Sequence, residues 1–402
     1  MLAKRGLRWL IWCEVIDNFG DAALAWRLAR DLIAAGASAP RVLTGAADSK
    51  VASKVAFKVA SEGADDAEAD TVTLAINQPM VLEKLVPRHA RDRPPQVCDW
   101  GEALAALDAT PPWDVVVGLL GTRLPAPLLD RLARQTPTPV WINLEHLSPE
   151  SWVAGCHGLP SPHPQTGLKE MFFFPGFDLQ TGGLIRESDL IAQRDRFRAD
   201  PRARAQCLQA IGVAPEDLDW PAVLVFGYAD APLSALIDQL AAGPPSVLLV
   251  PTGRAPVQRR GALRWYGIDW LAQAHFDTLL WSCAAAFVRG EDSLVRAHWA
   301  ALPFLWQPYR EALGGHRAKL DAWLARWAYV LPPAAARAQE ALAHAWDRAD
   351  ASALARAWPT WFGLRATLAE GANAWCEALC QRPSLTHRLR SFALDQLESR
   401  SH

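Results

Sequence analysis

The sequence predicts an α/β protein: two helix-covered, mainly parallel sheets followed by a helical tail. Three observations predict it. Short, wholly apolar runs alternate with longer amphipathic stretches, once in each half of the 402-residue chain. Strands that read as unbroken apolar runs are those buried on both faces by helices. An irregular Pro- and aromatic-rich stretch, residues 157–187, separates the two series, and from Ala318 the pattern is helical to the end.

In chain order, Leu7–Ile16 reads as the first strand. Lys4, Arg5 and Arg8 lend it the look of a secretory leader, but Glu14 interrupts the run and no small-residue cleavage site follows. Asp17-Asn-Phe-Gly-Asp21 is a turn. Ala22–Ala35 is a helix, with Leu24, Leu28 and Leu32 at four-residue spacing and Gly36 as its stop. Arg41–Thr44 and Thr71–Ile76 are the next strands, with the acidic, Ala-rich run Glu62–Asp70 expected as an exposed loop or insertion. Asp114–Leu120 and Pro139–Leu144 are buried strands. The second series has strands at Ala222–Tyr228, Ser246–Val250, Arg264–Trp270, Ala286–Arg289 and Phe304–Gln307. Helices are expected at Ser234–Ala242, Phe276–Ala284 and Ser293–Leu302, the last N-capped by Ser293. The tail from Ala318 is helical, with breaks at Pro332-Pro333 and Pro359. These elements suggest a first domain over 1–185, a second over 186–384, and a terminal helix, 385–402, free to return to the first.

Composition narrows the classes. A formal net charge of -2 gives no general attraction to nucleic acid or an anionic membrane. The longest apolar runs fall far short of the ~20 residues of a membrane span. Seven cysteines, at 13, 98, 156, 207, 283, 376 and 380, are odd in number and scattered, which suits a reducing cytoplasm. No His pair stands at zinc spacing beside them, so no metal is expected. Most of the 19 tryptophans must be core.

The stretch Ala286–Arg296 carries the strongest chemical signal. An apolar strand turns at Gly290 and presents Glu291, Asp292 and Ser293 where a helix begins. Unpaired amides and the positive end of the helix dipole make such a turn an anion site. The two acids either complement that dipole or accept from the hydroxyls of a sugar held beside a phosphate. Asp17 and Asp21 follow the first strand, at the carboxyl edge where open α/β sheets bind ligands. Asp21 has the competing reading of a helix cap; Asp17 caps nothing. Neither half has a Gly-x-Gly-x-x-Gly turn, a Walker A motif or a Gly-x-Ser-x-Gly elbow. Two facing doubly wound domains without these suit a glycosyltransferase of the two-Rossmann (GT-B) kind, a step of fold-level analogy.

Motifs in series make the resemblance specific. Asp17-Asn-Phe-Gly-Asp21, Trp26-Arg-Leu-Ala-Arg30, Asn143-Leu-Glu-His-Leu-Ser148, Leu159-Pro-Ser-Pro162, Phe174-Pro-Gly-Phe177, Thr181-Gly-Gly-Leu-Ile-Arg-Glu187, Phe226-Gly-Tyr228 and Arg289-Gly-Glu-Asp-Ser293 stand in order. In this the chain resembles the EarP family, bacterial protein-arginine rhamnosyltransferases acting on translation elongation factor P. The resemblance spans roughly residues 8 to 320. It implies a metal-independent, inverting GT-B enzyme that moves rhamnose from dTDP-β-L-rhamnose to an arginine side chain, with an acceptor-binding first domain and a donor-binding second one. It also implies Asp17, Asp21 and Glu291 as catalytic acids. Phe226, Tyr228, Trp270, Gln273, Glu291, Asp292 and Ser293 would bind the nucleotide sugar; on pattern alone Phe226 and Tyr228 read as core strand residues. The chain departs from the family at Ala22-Ala23-Leu24, at Trp270, where Phe is expected, and at His275, where an acid is usual. Two rivals remain: a GT-B enzyme with a small-molecule or lipid acceptor, and a catalytically inactive relative that only binds protein.

Overall fold

The computed structural model describes residues 6–16, 19–37, 69–91, 94–310 and 314–400. Asp17 and the expected strand Arg41–Thr44 lie outside the described residues.

Among the described residues the first sheet has seven strands: β1 (Arg8–Cys13), β2 (Thr71–Ile76), β3 (Gln96–Cys98), β4 (Val115–Leu119), β5 (Val140–Leu144), β6 (Pro160–Pro162) and β7 (Lys169–Phe173). Their order is β3-β2-β1-β4-β5-β7-β6, parallel throughout except for β6 at the edge. The second sheet has six: β8 (Ala222–Val225), β9 (Ser246–Val250), β10 (Gln258–Arg260), β11 (Leu263–Gly267), β12 (Ala285–Arg289) and β13 (Phe304–Gln307). They run β10-β11-β9-β8-β12-β13, again parallel but for the edge strand β10. All residues of β4, β5, β8, β9 and β13 are buried, as expected of mainly apolar strands in a helix-covered parallel sheet.

The interruption at 157–187 is not purely loop. It contains β7, which pairs with β5, and β6, whose Pro160 and Pro162 are tolerated because an edge strand has a side with no partner to donate to. Polar Lys169 and Glu170 and the flanking prolines hide β7 from pattern reading. The expected strand Arg264–Trp270 ends at Gly267, leaving Trp270 in a loop. Pro359 does not break the tail: it sits within the helix Ala351–Gly363. Trp358 and Trp361 of that helix pack beside Phe287 of β12, and this burial outweighs the lost backbone hydrogen bond. Fourteen of the 19 tryptophans are buried, several in this layer between tail and second sheet.

The last helix, Leu385–Ser399, lies against the helix Gly20–Ala37 of the first unit. Arg390 reaches Asp70 at 2.9 Å. Asp70 was expected in an exposed acidic run, yet its side chain is fully buried. Its carboxylate accepts from the Leu7 amide at 3.0 Å and the Trp9 indole at 3.1 Å. Three donors on one carboxylate explain why an acid is stable there. Asp70→Asn keeps the shape but loses the charge and one acceptor, and should cost about 1–3 kcal/mol. A urea midpoint equal to that of the wild type would refute this.

Candidate active site

The carboxyl ends of both sheets open onto one cleft. On the first unit, the loop after β1 is pinned by side chains: Thr122 Oγ1 accepts from the Glu14 amide at 3.2 Å and Asn77 Oδ1 from the Val15 amide at 2.8 Å. Asp21 Oδ2 accepts from the Ile16 amide at 2.8 Å. The helix begins at Gly20, so Asp21 lies in its first turn rather than capping an Ala22 start.

On the second unit, β12 delivers Arg289, and Gly290 turns the chain at φ 64°, where a side chain would be strained. The helix Gly290–Ala300 starts there, three residues before the expected cap; Ser293 is one turn inside it and buried. Arg289 occupies the N-cap position in extended conformation, and among the described residues no side chain caps the helix. The first-turn amides are therefore left to the cleft. Arg289 lies over the rings of Phe226 (4.8 Å) and Tyr228 (4.7 Å) and donates to the Gly227 carbonyl at 3.2 Å. Phe226 and Tyr228 stand beyond the end of β8, half-buried, so they are not core strand residues.

A cavity of about 330 Å³ runs between the units. Its walls bring together Glu14 and Asp21 from the first unit with Glu291, Asp292, Ser293 and Phe226 from the second. A neighbouring apolar slot shares Phe226, Asp292 and Ser293 and adds Trp270 and Gln273. Trp270 is about half exposed there; its ring centroid lies 5.0 Å from Phe19 and 5.7 Å from Phe226. Gln273 Nε2 donates to the Ala23 carbonyl at 3.1 Å, a bond between the units. Of the expected site residues among those described, Asp21, Phe226, Trp270, Gln273, Glu291, Asp292 and Ser293 line these two adjoining spaces, whereas Tyr228 lines neither and reaches the site through Arg289.

Sequence reading missed the groups that hold this space together. Both Glu291 oxygens are engaged by the first unit: Oε1 lies 2.9 Å from His146 Nδ1, and Oε2 accepts from the Leu147 amide at 2.9 Å. Desolvation works against the charged imidazole, but the Glu291 bond and charge outweigh it and raise the His146 pKa above the ordinary value. Behind the cleft, buried Arg27 forks onto Glu187 (2.7 and 2.9 Å) and also reaches Asp292 (2.5 Å). Arg296 completes the network, holding Asp292 at 2.9 Å and Asp277 at 2.5 Å. The Asp292 carboxylate is thus committed to two arginines, which hold its pKa below the usual range against burial. The two arginines fix its orientation at the edge of the cleft. Arg27, His146 and Glu187 all sit in the quoted motifs, but nothing local indicates what they touch.

Two Rossmann-like sheets facing a cleft, one wall a bare helix N-terminus and both walls bearing acids, define a GT-B glycosyltransferase. The chain belongs to the Elongation-Factor P (EF-P) rhamnosyltransferase family EarP, which it matches over residues 9–50 and 52–394. It is 37% identical to a protein-arginine rhamnosyltransferase of Pseudomonas putida and 33% identical to one of Pseudomonas aeruginosa, in each case over 97% of this chain and 99% of the relative. A solved structure described as the structural basis for EarP-mediated arginine glycosylation of translation elongation factor EF-P superposes with a TM-score of 0.60. It shares 25% identity and covers 97% of this chain and 99% of that one. The chain is accordingly an enzyme of the glycosyltransferase class.

Proposed function

We propose that this enzyme transfers rhamnose, with inversion, from dTDP-β-L-rhamnose to an arginine side chain of elongation factor P. The observation that carries the reading is the cleft: acids from both units border a space whose far wall is an uncapped helix N-terminus. Glu14 and Asp21 make the acceptor side acidic, which favours a cationic side chain over a lipid. Because the acceptor is a translation factor, the reading places the enzyme in the cytoplasm.

A guanidinium is a poor nucleophile, with a pKa above about 12 and delocalised lone pairs. Full deprotonation before attack is too costly; the proton leaves as the bond forms. Asp17 is the base that takes it, and Asp21 orients the guanidinium through charge-assisted hydrogen bonds. The arginine nitrogen bonds to the sugar C1 while the C1–O bond to the diphosphate breaks, and its electron pair departs with dTDP. Amides of Glu291, Asp292 and Ser293 stabilise that departing charge, so no metal is required. Glu291 lies beside the sugar and supports the oxocarbenium-like state. Phe226, Tyr228, Trp270 and Gln273 surround the nucleoside.

The direct test is purified enzyme with dTDP-rhamnose and elongation factor P in EDTA, read by intact mass. One added deoxyhexose on an arginine is expected. No addition, or addition only with a divalent cation, would overturn the reading. Trp270→Ala removes a ring worth about 1–3 kcal/mol of base stacking. It should raise the donor KM by about tenfold or more with kcat nearly unchanged, and an unchanged KM would remove Trp270 from the base site.

A further inference from the structure

We propose that His146 is a positioning residue of the transfer reaction, holding the Glu291 carboxylate in its working orientation from the opposite wall of the cleft. The inference rests on the reading of Glu291 as the donor-side acid and deepens it. His146 follows β5 by two residues, so the first sheet fixes its backbone, and the Leu147 amide beside it is fixed in the same way. Together they grip one oxygen each of Glu291, at 2.9 Å in both cases. Two contacts on two oxygens define the plane of a carboxylate, which a single bond leaves free to rotate. A carboxylate has about four lone-pair sites, so this grip leaves acceptor capacity for sugar hydroxyls.

The arrangement also explains why the acid sits on one unit and its holder on the other. Glu291 can be oriented only when the two walls are at their present separation, so positioning and cleft closure become one event. The imidazole carries the additional consequence of a titrating clamp. Around it stand Glu291 from the helix Gly290–Ala300, Asp21 from the helix Gly20–Ala37, Glu14 beyond β1, and Lys319 from the helix Gly315–Ala328. Lys319 opposes the imidazolium, whereas Glu291 and Asp21 favour it. As pH rises through the elevated His146 pKa the cation is lost and the grip weakens, so kcat should fall on the alkaline side.

The experiment compares wild type with His146→Ala and His146→Asn. Asparagine places an amide nitrogen close to the position of Nδ1 without a titrating charge. His146→Ala should lower kcat by about 100-fold, the scale of a misplaced catalytic group, with a smaller change in the donor KM. His146→Asn should recover much of that loss and abolish the alkaline limb assigned to the imidazole. An unchanged His146→Ala rate, or an equal loss at every pH with no recovery in His146→Asn, would overturn the proposal. The contact is also tested without any substrate. NMR titration should show the His146 pKa falling in Glu291→Gln, and an unmoved titration would refute the pairing. Failure of the wild type to modify elongation factor P, with the titration as expected, would count against the substrate assignment and not against this contact.

Discussion

Glu291→Gln should lower transfer by about 100-fold or more while leaving the fold intact. The magnitude is that of removing a preorganised electrostatic stabiliser. Glutamine nearly matches the shape, so the amide can still meet the Leu147 N–H and the His146 ring from their present positions. What it removes is the negative charge that the proposed mechanism sets beside the sugar. The loss should therefore fall on kcat, with donor binding changed far less, because a charge that responds to the oxocarbenium-like state is felt mainly there. Glu291 is partly exposed and lies outside the buried Arg27 network, so its thermal midpoint should stay near that of the wild type. Initial rates by intact mass, paired with thermal melts, separate these effects. A variant that turns over at the wild-type rate would remove Glu291 from the chemistry.

Much of this site was legible because it is local. A strand, a glycine and two acids at the start of a helix can be read from residues 286–296 alone. The helix start itself was misplaced, and for a physical reason. Ser293 has the composition of a cap, but the helix is started by the backbone turn at Gly290, which needs no capping side chain. Asp70 was read as solvated from the acidity of its neighbours, whereas its partners Leu7, Trp9 and Arg390 are 61 to 320 residues away. The same distance conceals His146 from Glu291, 145 residues apart. Periodicity reports which face of an element is buried. It carries no record of which polar groups meet once two sheets face each other, and in this enzyme those meetings build the cleft.

The largest effect on stability is expected at Arg27. Its guanidinium is buried between the units with three hydrogen bonds to Glu187 and Asp292, and Arg296 links the same Asp292 to Asp277. Arg27→Met keeps most of the volume and removes the cation, stranding carboxylates that burial already penalises. Breaking such a pair from one side costs about 3–5 kcal/mol, which should appear as a large fall in the urea midpoint at pH 7. The pH dependence has a definite sign. The neighbouring arginines outweigh burial and hold the Glu187 pKa down to about 2, and they depress Asp292 as well. A carboxyl depressed on folding contributes stability that is complete above its unfolded pKa, near 4.3, and is lost as pH falls toward the folded value. Asp277 works in the opposite sense, because burial raises its pKa despite Arg296. Burial raises Asp31, beside Arg27 and Glu187, in the same way, to about 6. The contribution of a raised acid is complete below its unfolded pKa, so from about pH 4 to 2 Glu187 and Asp292 decide the sign, and Arg27→Met should lose less stability than wild type over that window. A second variant separates charge from packing. In Arg27→Met with Glu187→Leu the stranded carboxylate is gone, so much of the loss should return, as buried ion pairs can often be replaced by apolar groups at little cost. If the double variant is no more stable than Arg27→Met, shape and not charge holds this interface. The network would then not be what fixes Asp292, and with it the N-terminus of the helix Gly290–Ala300, against the first unit.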